Sequence, residues 1–161
     1  MRIRTYERAD FPALLELTLA VFASFHEDSY RPLVGETVFA NRHGHWREDY
    51  RERLGRAHDP RAGKHVAVAV VDDEVAGYVG WVEQVEQRHG EIDILAVAAR
   101  HRRRGVGRAL AEHAIEHMRT GDLQVVSVGT GGDPFHAPAR ALYEDLGFTP
   151  LPTVNYTRPL R

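Results

Sequence analysis

The apolar residues of this chain recur with two periods, and the change from one to the other marks out its elements. "RIRT" (Arg2–Thr5) predicts a short strand, and "DFPALLELTLAVF" predicts a helix. In that helix Asp10 stands at the N-cap, Pro12 lies in the first turn, and Leu14, Leu15, Leu19 and Phe22 share one face. From His26 to Gly63 the chain is polar and rich in histidine and charge; "HWREDYRERLGR" predicts a helix there, with its start left open. "KHVAVAVVDDEVAGYVGWVEQV" predicts a hairpin: Val66–Val71 is almost wholly apolar, Asp72–Glu74 is the turn, and Val75–Val85 alternates on the way back. "GEIDILAV" predicts the third strand of the meander. Regular pleating would put Ile92, Ile94 and Ala96 on one face and Glu91, Asp93, Leu95 and Val97 on the other.

A helix from about Gly105 to Met118 follows, with Leu110, Ala111, Ala114 and Met118 facing inward. "LQVVSVGT" predicts a further strand, and "HAPARALYEDLG" a short helix with Pro138 in its first turn and Gly147 as its C-cap. "NYTRPL" predicts a closing edge strand. Strands and helices alternate without repeat or linker. The expectation is one α/β domain over residues 1–161, a central mixed sheet flanked by helices.

Composition narrows the function classes. The 161 residues suffice for one sizeable core, and 43% hydrophobic with 27% charged residues is the balance of a globular chain. Twenty-one basic residues against 23 acidic ones, a net charge of −2, speak against a nucleic-acid or anionic-membrane partner. There is no cysteine, which removes disulfides, thiolate metal sites and a cysteine nucleophile together. "MRIRTYERAD" holds no apolar signal region, and no run of about eighteen apolar residues occurs, so a cytoplasmic protein is expected.

Against that acidic balance, "RHRRRGVGR" concentrates positive charge around two glycines where a helix begins. A helix N-terminus carries unpaired amides and partial positive charge, and an anion bound there needs close approach to the backbone. Gly105 and Gly107 supply that room, and Arg102, Arg103, Arg104 and Arg108 supply charge. It is neither a dinucleotide fingerprint, since Leu110 stands where the third glycine belongs, nor a P-loop, since Gly-Lys-Ser/Thr is absent. By itself the pattern also describes a tight strand–helix turn with an exposed basic rim.

It does not stand by itself. From about Val66 to Phe148, the strand "ILAV", the loop Arg102–Gly107, its helix, the next strand and "ALYEDLGF" together resemble the GNAT superfamily of acetyl-CoA-dependent N-acetyltransferases. The resemblance implies that the R/Q-x-x-G-x-G/A loop, here Arg102, Arg103, Arg104, Gly105, Val106 and Gly107, wraps the pyrophosphate of coenzyme A. It implies that the main chain of Leu95, Ala96 and Val97 binds the pantetheine arm, with the Leu95 amide stabilising the acetyl oxygen, and that the "LY…GF" helix closes the cleft. An asparagine usual in the family upstream of "ALY" is replaced by His136 in "FHAPARALY". That histidine could orient pantetheine, act as a base, or merely cap the helix.

Acetyl transfer to an amine needs a proton acceptor, a stabiliser for the carbonyl oxygen, and a proton for the departing thiolate. An alkylamine with a pKa of about 10.4 is almost wholly protonated at neutral pH, so a base is required. Without cysteine or a Gly-x-Ser-x-Gly elbow, direct attack is expected rather than an acyl-enzyme. Glu91, six residues before Val97, is similar in position to the glutamate base of the histone-acetyltransferase branch; Asp93 and Glu83 are its rivals. Tyr143 matches the family's tyrosine acid. The expected reaction is acetyl transfer to a primary amine, small molecule or protein, with a homodimer conceivable. The competing readings are a non-catalytic acyl-CoA sensor and a nucleic-acid module.

Two signals stand outside this scheme. "HAIEH" matches a zinc-protease pattern, but His113 and His117 fall on the solvent flank of their helix without a third ligand, so no metal is expected. "SFHEDSY" (Ser24–Tyr30) falls where the family borders its acceptor site; Glu27 and Asp28 would favour a cationic amine or simply face water.

Overall fold

The computed structural model describes residues 1–161. Its five strands are β1 (Arg2–Thr5), β2 (Lys64–Val71), β3 (Glu74–Gln84), β4 (His89–Val97) and β5 (Val125–Val128), lying side by side in that order. Neighbours run antiparallel from β1 to β4, and β5 joins β4 in parallel. A parallel neighbour demands a crossover, which the helix α5 (Val106–Thr120) makes. Between β1 and β2 lie α1 (Phe11–Ser24), a π-helical turn Phe25–Tyr30, α2 (Arg31–Val34), α3 (Glu36–His43) and α4 (Trp46–Gly55); α6 (Ala137–Asp145) follows β5. This is the mixed α/β sheet that the pattern predicts.

The unbroken apolar run of β2 is explained by helices on both its faces. Ala67 and Ala69 join Leu110, Ala114 and Met118 of α5 in one cluster. Val66 and Val68 join Leu14, Leu15 and Leu17 of α1 and Leu54 of α4 in the other. The helical stretch Arg8–Val34 is long and apolar enough, by composition, to cross a membrane. Here it buries Leu14, Leu15 and Leu17 against the sheet. One polar pair crosses this layer. Thr18 Oγ1 donates to Leu14 O at 2.6 Å, so the buried Tyr78 hydroxyl donates to Thr18 Oγ1, also at 2.6 Å.

Two expectations need correction, and a third, Asp10 at the N-cap, holds in position while its side chain serves other partners. Ile92, Ile94 and Ala96 do not share a face. Gly80 pairs with Ile94 and Trp81 with Ile92, so Asp93 is an extra residue, a β-bulge. Ile92 therefore packs on the α5 side with Leu95 and Val97, while Ile94 and Ala96 pack with α1 and α4. Asp10 occupies the N-cap position of α1, but its carboxylate accepts from the Glu7 amide at 2.8 Å and from Arg4 at 2.7 and 2.8 Å. "NYTRPL" is no strand: residues 148–161 carry no regular structure, and Leu151, Val154, Tyr156 and Leu160 are exposed. Pro150, Pro152 and Pro159 each remove a donor from that segment and disfavour a ladder.

Candidate active site

The chain leaves β4 at Val97, makes a tight turn at Ala99–His101, and enters α5 through Arg102–Gly105. Arg103 (φ 59°) and Gly105 (φ 79°) are left-handed, a conformation in which glycine is unstrained. No side chain caps α5, and its first closing bond runs from the Ala109 amide to Gly105 O at 3.0 Å. The amides of Val106, Gly107 and Arg108 consequently have no partner inside the protein. A Cβ built on Gly107 would lie 3.5 Å from Val97 Cγ2 and 3.7 Å from Leu142 Cδ2. The end of β4, the start of α5 and the middle of α6 meet at this glycine.

The arginines divide. Arg102 Nε donates to Val97 O at 3.3 Å, tying the loop back to the strand. Arg108 is occupied by Asp145 at 3.1 Å and Glu112 at 3.7 Å. Arg103 and Arg104 are exposed and make no ion pair, so they keep their charge for an anion at the helix start.

The expected strand residues border a real opening. β5 pairs with β4 only along His89–Ile92. From Asp93 to Val97, β4 is paired with β3 alone, which leaves the main-chain edge at Leu95, Ala96 and Val97 without a strand neighbour. That splay opens at the residue where the bulge sits.

Tyr143 is buried on α6 with its ring 5.7 Å from that of Phe148, and burial pushes its hydroxyl up to about 12. It stays protonated at neutral pH. Asp133, not His136, caps the turn before α6, accepting the His136 amide at 3.2 Å. Its other oxygen lies 2.7 Å from His136 Nδ1. Burial works to raise Asp133, yet the hydrogen bond and charge of His136 hold it below the usual carboxylate range. A carboxylate can only accept, so Nδ1 is the donor in this bond.

The three carboxylate candidates have different settings. Glu91 is exposed on β4, between Val82 of β3 and Ser127 of β5, two residues before the splay. Asp93 is held by Arg53, whose Nη2 reaches both Asp93 Oδ1 at 2.8 Å and Asp93 O at 2.7 Å. Glu83 lies with Trp81, His65 and His117 by the far end of α5, away from Gly107.

One feature escaped the sequence pattern altogether. Phe22 of α1, Phe25 and His26 of the π-turn, Trp46 and Tyr50 of α4, and Phe135 before α6 form a continuous aromatic wall. Its rings lie 4.6–6.3 Å apart. His136 stands at its edge, 4.8 Å from Phe25. Glu27 is not available to a substrate, because Trp46 Nε1 at 3.1 Å and Arg31 at 2.8 Å engage its carboxylate. The only signal for the wall was the aromatic content of "FHEDSY" and "HWREDY", segments whose meeting depends on the fold.

Comparison with known proteins agrees with this geometry. Residues 20–148 match the acetyltransferase (GNAT) family. The chain is 38% identical over 76 residues to the uncharacterized N-acetyltransferase YsnE of Bacillus subtilis, covering 47% of this chain and 50% of that one. It is 38% identical over 71 residues to mycothiol acetyltransferase of Beutenbergia cavernae, covering 44% of this chain and 23% of that one. These matches thus span half or less of either relative. Among solved structures, ribosomal-protein-alanine N-acetyltransferase of Brucella melitensis superposes with a TM-score of 0.62 at 28% identity, over 91% of this chain and 83% of that one. With the family match running from within α1 to Phe148, across the splayed strand and the glycine turn, this chain belongs to the GNAT family of acetyltransferases.

Proposed function

We propose that the protein transfers the acetyl group of acetyl-CoA to a primary amine by direct attack. One observation carries the reading: the unpaired edge of β4, the uncapped start of α5 and the Tyr143 helix converge at Gly107. The three partnerless amides and the free Arg103 and Arg104 are donors only, which suits a pyrophosphate. The open edge at Leu95–Val97 suits the amide-bearing pantetheine arm, and the Leu95 N–H would bond the acetyl oxygen as it becomes negative.

In this mechanism Glu91 removes a proton from the ammonium, directly or through water, freeing the nitrogen lone pair to attack the thioester carbonyl. The C–N bond forms, the C–S bond breaks, and Tyr143 gives its proton to the departing sulfur; the second proton shed by the amide nitrogen passes to water, from which Tyr143 is reprotonated. His136 is a second base candidate, favoured by the Asp133 contact that orients its ring and by its place at the edge of the aromatic wall. The same wall favours an acceptor whose amine is carried on an apolar or aromatic body. Acetyl-CoA use also agrees with the cytoplasmic location expected from the sequence.

The test is thiol release from acetyl-CoA, read with a thiol-reactive dye across polyamines, amino acids, aminoglycosides and N-terminal or lysine peptides. The protein contributes no thiol of its own. Release that depends on one amine class supports the proposal; binding of acetyl-CoA with no release for any amine favours a sensor. Glu91→Gln and His136→Gln, compared in pH–rate profiles, identify the base: the profile of the true base loses its acidic limb.

A further inference from the structure

Glu83 is a poorly solvated carboxylate without a permanent cation. Its side chain is 13% exposed, no lysine or arginine pairs with it, and its neighbours are two imidazoles. His65 Nε2 lies 3.5 Å from one carboxylate oxygen and His117 Nε2 3.4 Å from the other. These separations exceed the roughly 2.8 Å of a charge-assisted hydrogen bond. Each is near the spacing of about 3.4 Å between ligand atoms that sit 2.0–2.2 Å from a tetrahedral ion, with one imidazole beside each carboxylate oxygen. One ligand atom from each residue falls within 4.8 Å of the other two.

The surroundings favour a cation as well. Trp81 Nε1 donates to Glu83 at 3.2 Å, and the His65 ring stacks on the Trp81 ring at 5.2 Å, so the carboxylate and one imidazole are already oriented. His117 lies in the last turn of α5, where the helix presents partial negative charge. Its side chain is 46% exposed, which opens a path from solvent.

We propose that His65, Glu83 and His117 bind a divalent transition-metal ion, zinc by ligand chemistry, with the fourth position left to water. Two imidazoles and one carboxylate select a borderline ion over magnesium or calcium. The ion would fasten the C-terminal end of α5 to β2 and β3, about 15 Å along the helix from Gly107. The "HAIEH" pattern had supplied one of these ligands, His117. The other two come from the start of β2 and the end of β3, brought alongside by pairing between those strands.

The experiment uses tag-free, EDTA-stripped protein titrated with Zn²⁺ against a chromogenic chelator, and with Co²⁺ while recording the visible spectrum. One equivalent of Zn²⁺ and the intense absorption of four-coordinate Co²⁺ are expected. Glu83→Gln and His117→Ala should each weaken binding by about 100-fold or more, because losing even an outer partner of a ligand costs up to that much. His45→Ala, at an exposed histidine elsewhere, should leave binding unchanged. The exposed His117→Ala decides the matter if Glu83→Gln does not fold, as judged by far-UV circular dichroism. Failure of the wild type to take up one equivalent, a six-coordinate Co²⁺ spectrum, or undiminished binding in folded His117→Ala overturns the proposal.

Discussion

Gly107 carries the most consequence for its size. A single methyl there would make ordinary contacts with Val97 and Leu142, so Gly107→Ala should fold normally. Gly107→Glu places a carboxylate among the free amides at the start of α5, where it fills the space and repels phosphate. Calorimetry should find acetyl-CoA binding abolished with far-UV circular dichroism unchanged; retained affinity would remove the cradle from the proposal. Tyr143 tests the chemistry separately. Its hydroxyl has no hydrogen-bond partner in the protein, so Tyr143→Phe sacrifices little structure. Turnover should fall by roughly 100-fold, the usual size of a general-acid contribution, with cofactor affinity nearly intact. An unchanged turnover would assign the proton to another donor.

Among the elements, the contrast between α5 and β4 shows what a one-dimensional pattern can reveal. Leu110, Ala111, Ala114 and Met118 were legible as the inner face of α5 because a helix fixes its own period, and all four are buried. The phase of β4 was not legible, because the bulge at Asp93 exists only in relation to β3. The aromatic wall and the ligands His65 and Glu83 were hidden for the same reason: each joins segments that only tertiary packing brings together. The glycine turn and Tyr143 could be read, since their motifs lie within single stretches of chain. Packing between α1 and β3 has its own test in Thr18. Thr18→Val keeps the shape but strands the buried Tyr78 hydroxyl, costing about 1–3 kcal/mol. Adding Tyr78→Phe should recover much of that loss in chemical denaturation, because no polar group is then left unpaired. Additive losses would mean that the pair is not coupled.

At the scale of the whole molecule, stability should depend on pH through His26. Both its ring nitrogens are buried without partners, its ring stacks on Trp46 at 4.6 Å, and burial pushes its pKa down to about 4. The unfolded chain binds this proton below pH of about 6.5, whereas the folded protein resists it until about 4. Above the higher value His26 adds no dependence of stability on pH. Between the two values stability drains away as the pH falls, by up to about 3 kcal/mol. Thermal melts from pH 7 to pH 4 should show that decline, and His26→Phe should flatten it; parallel curves for the two proteins would place the titrating group elsewhere.

The extra residue in β4 has a further consequence for the tolerance of this chain to change. Below Asp93 the strand addresses its two cores in one phase, and above it in the opposite phase. Adding one residue between positions 94 and 97 would exchange the two sets of side chains downstream of it, whereas deleting Asp93 would keep Ile92 opposite Trp81 and Ile94 opposite Gly80, each on its own core. Most single replacements there change one contact, whereas an insertion changes every contact downstream at once. In an insertion scan, tolerance should therefore collapse across this short stretch and return in the exposed turn at Arg102–Arg104, while a deletion scan should find Asp93 more readily removed than its neighbours in β4. The length of the segment is under tighter constraint than the identity of most of its residues.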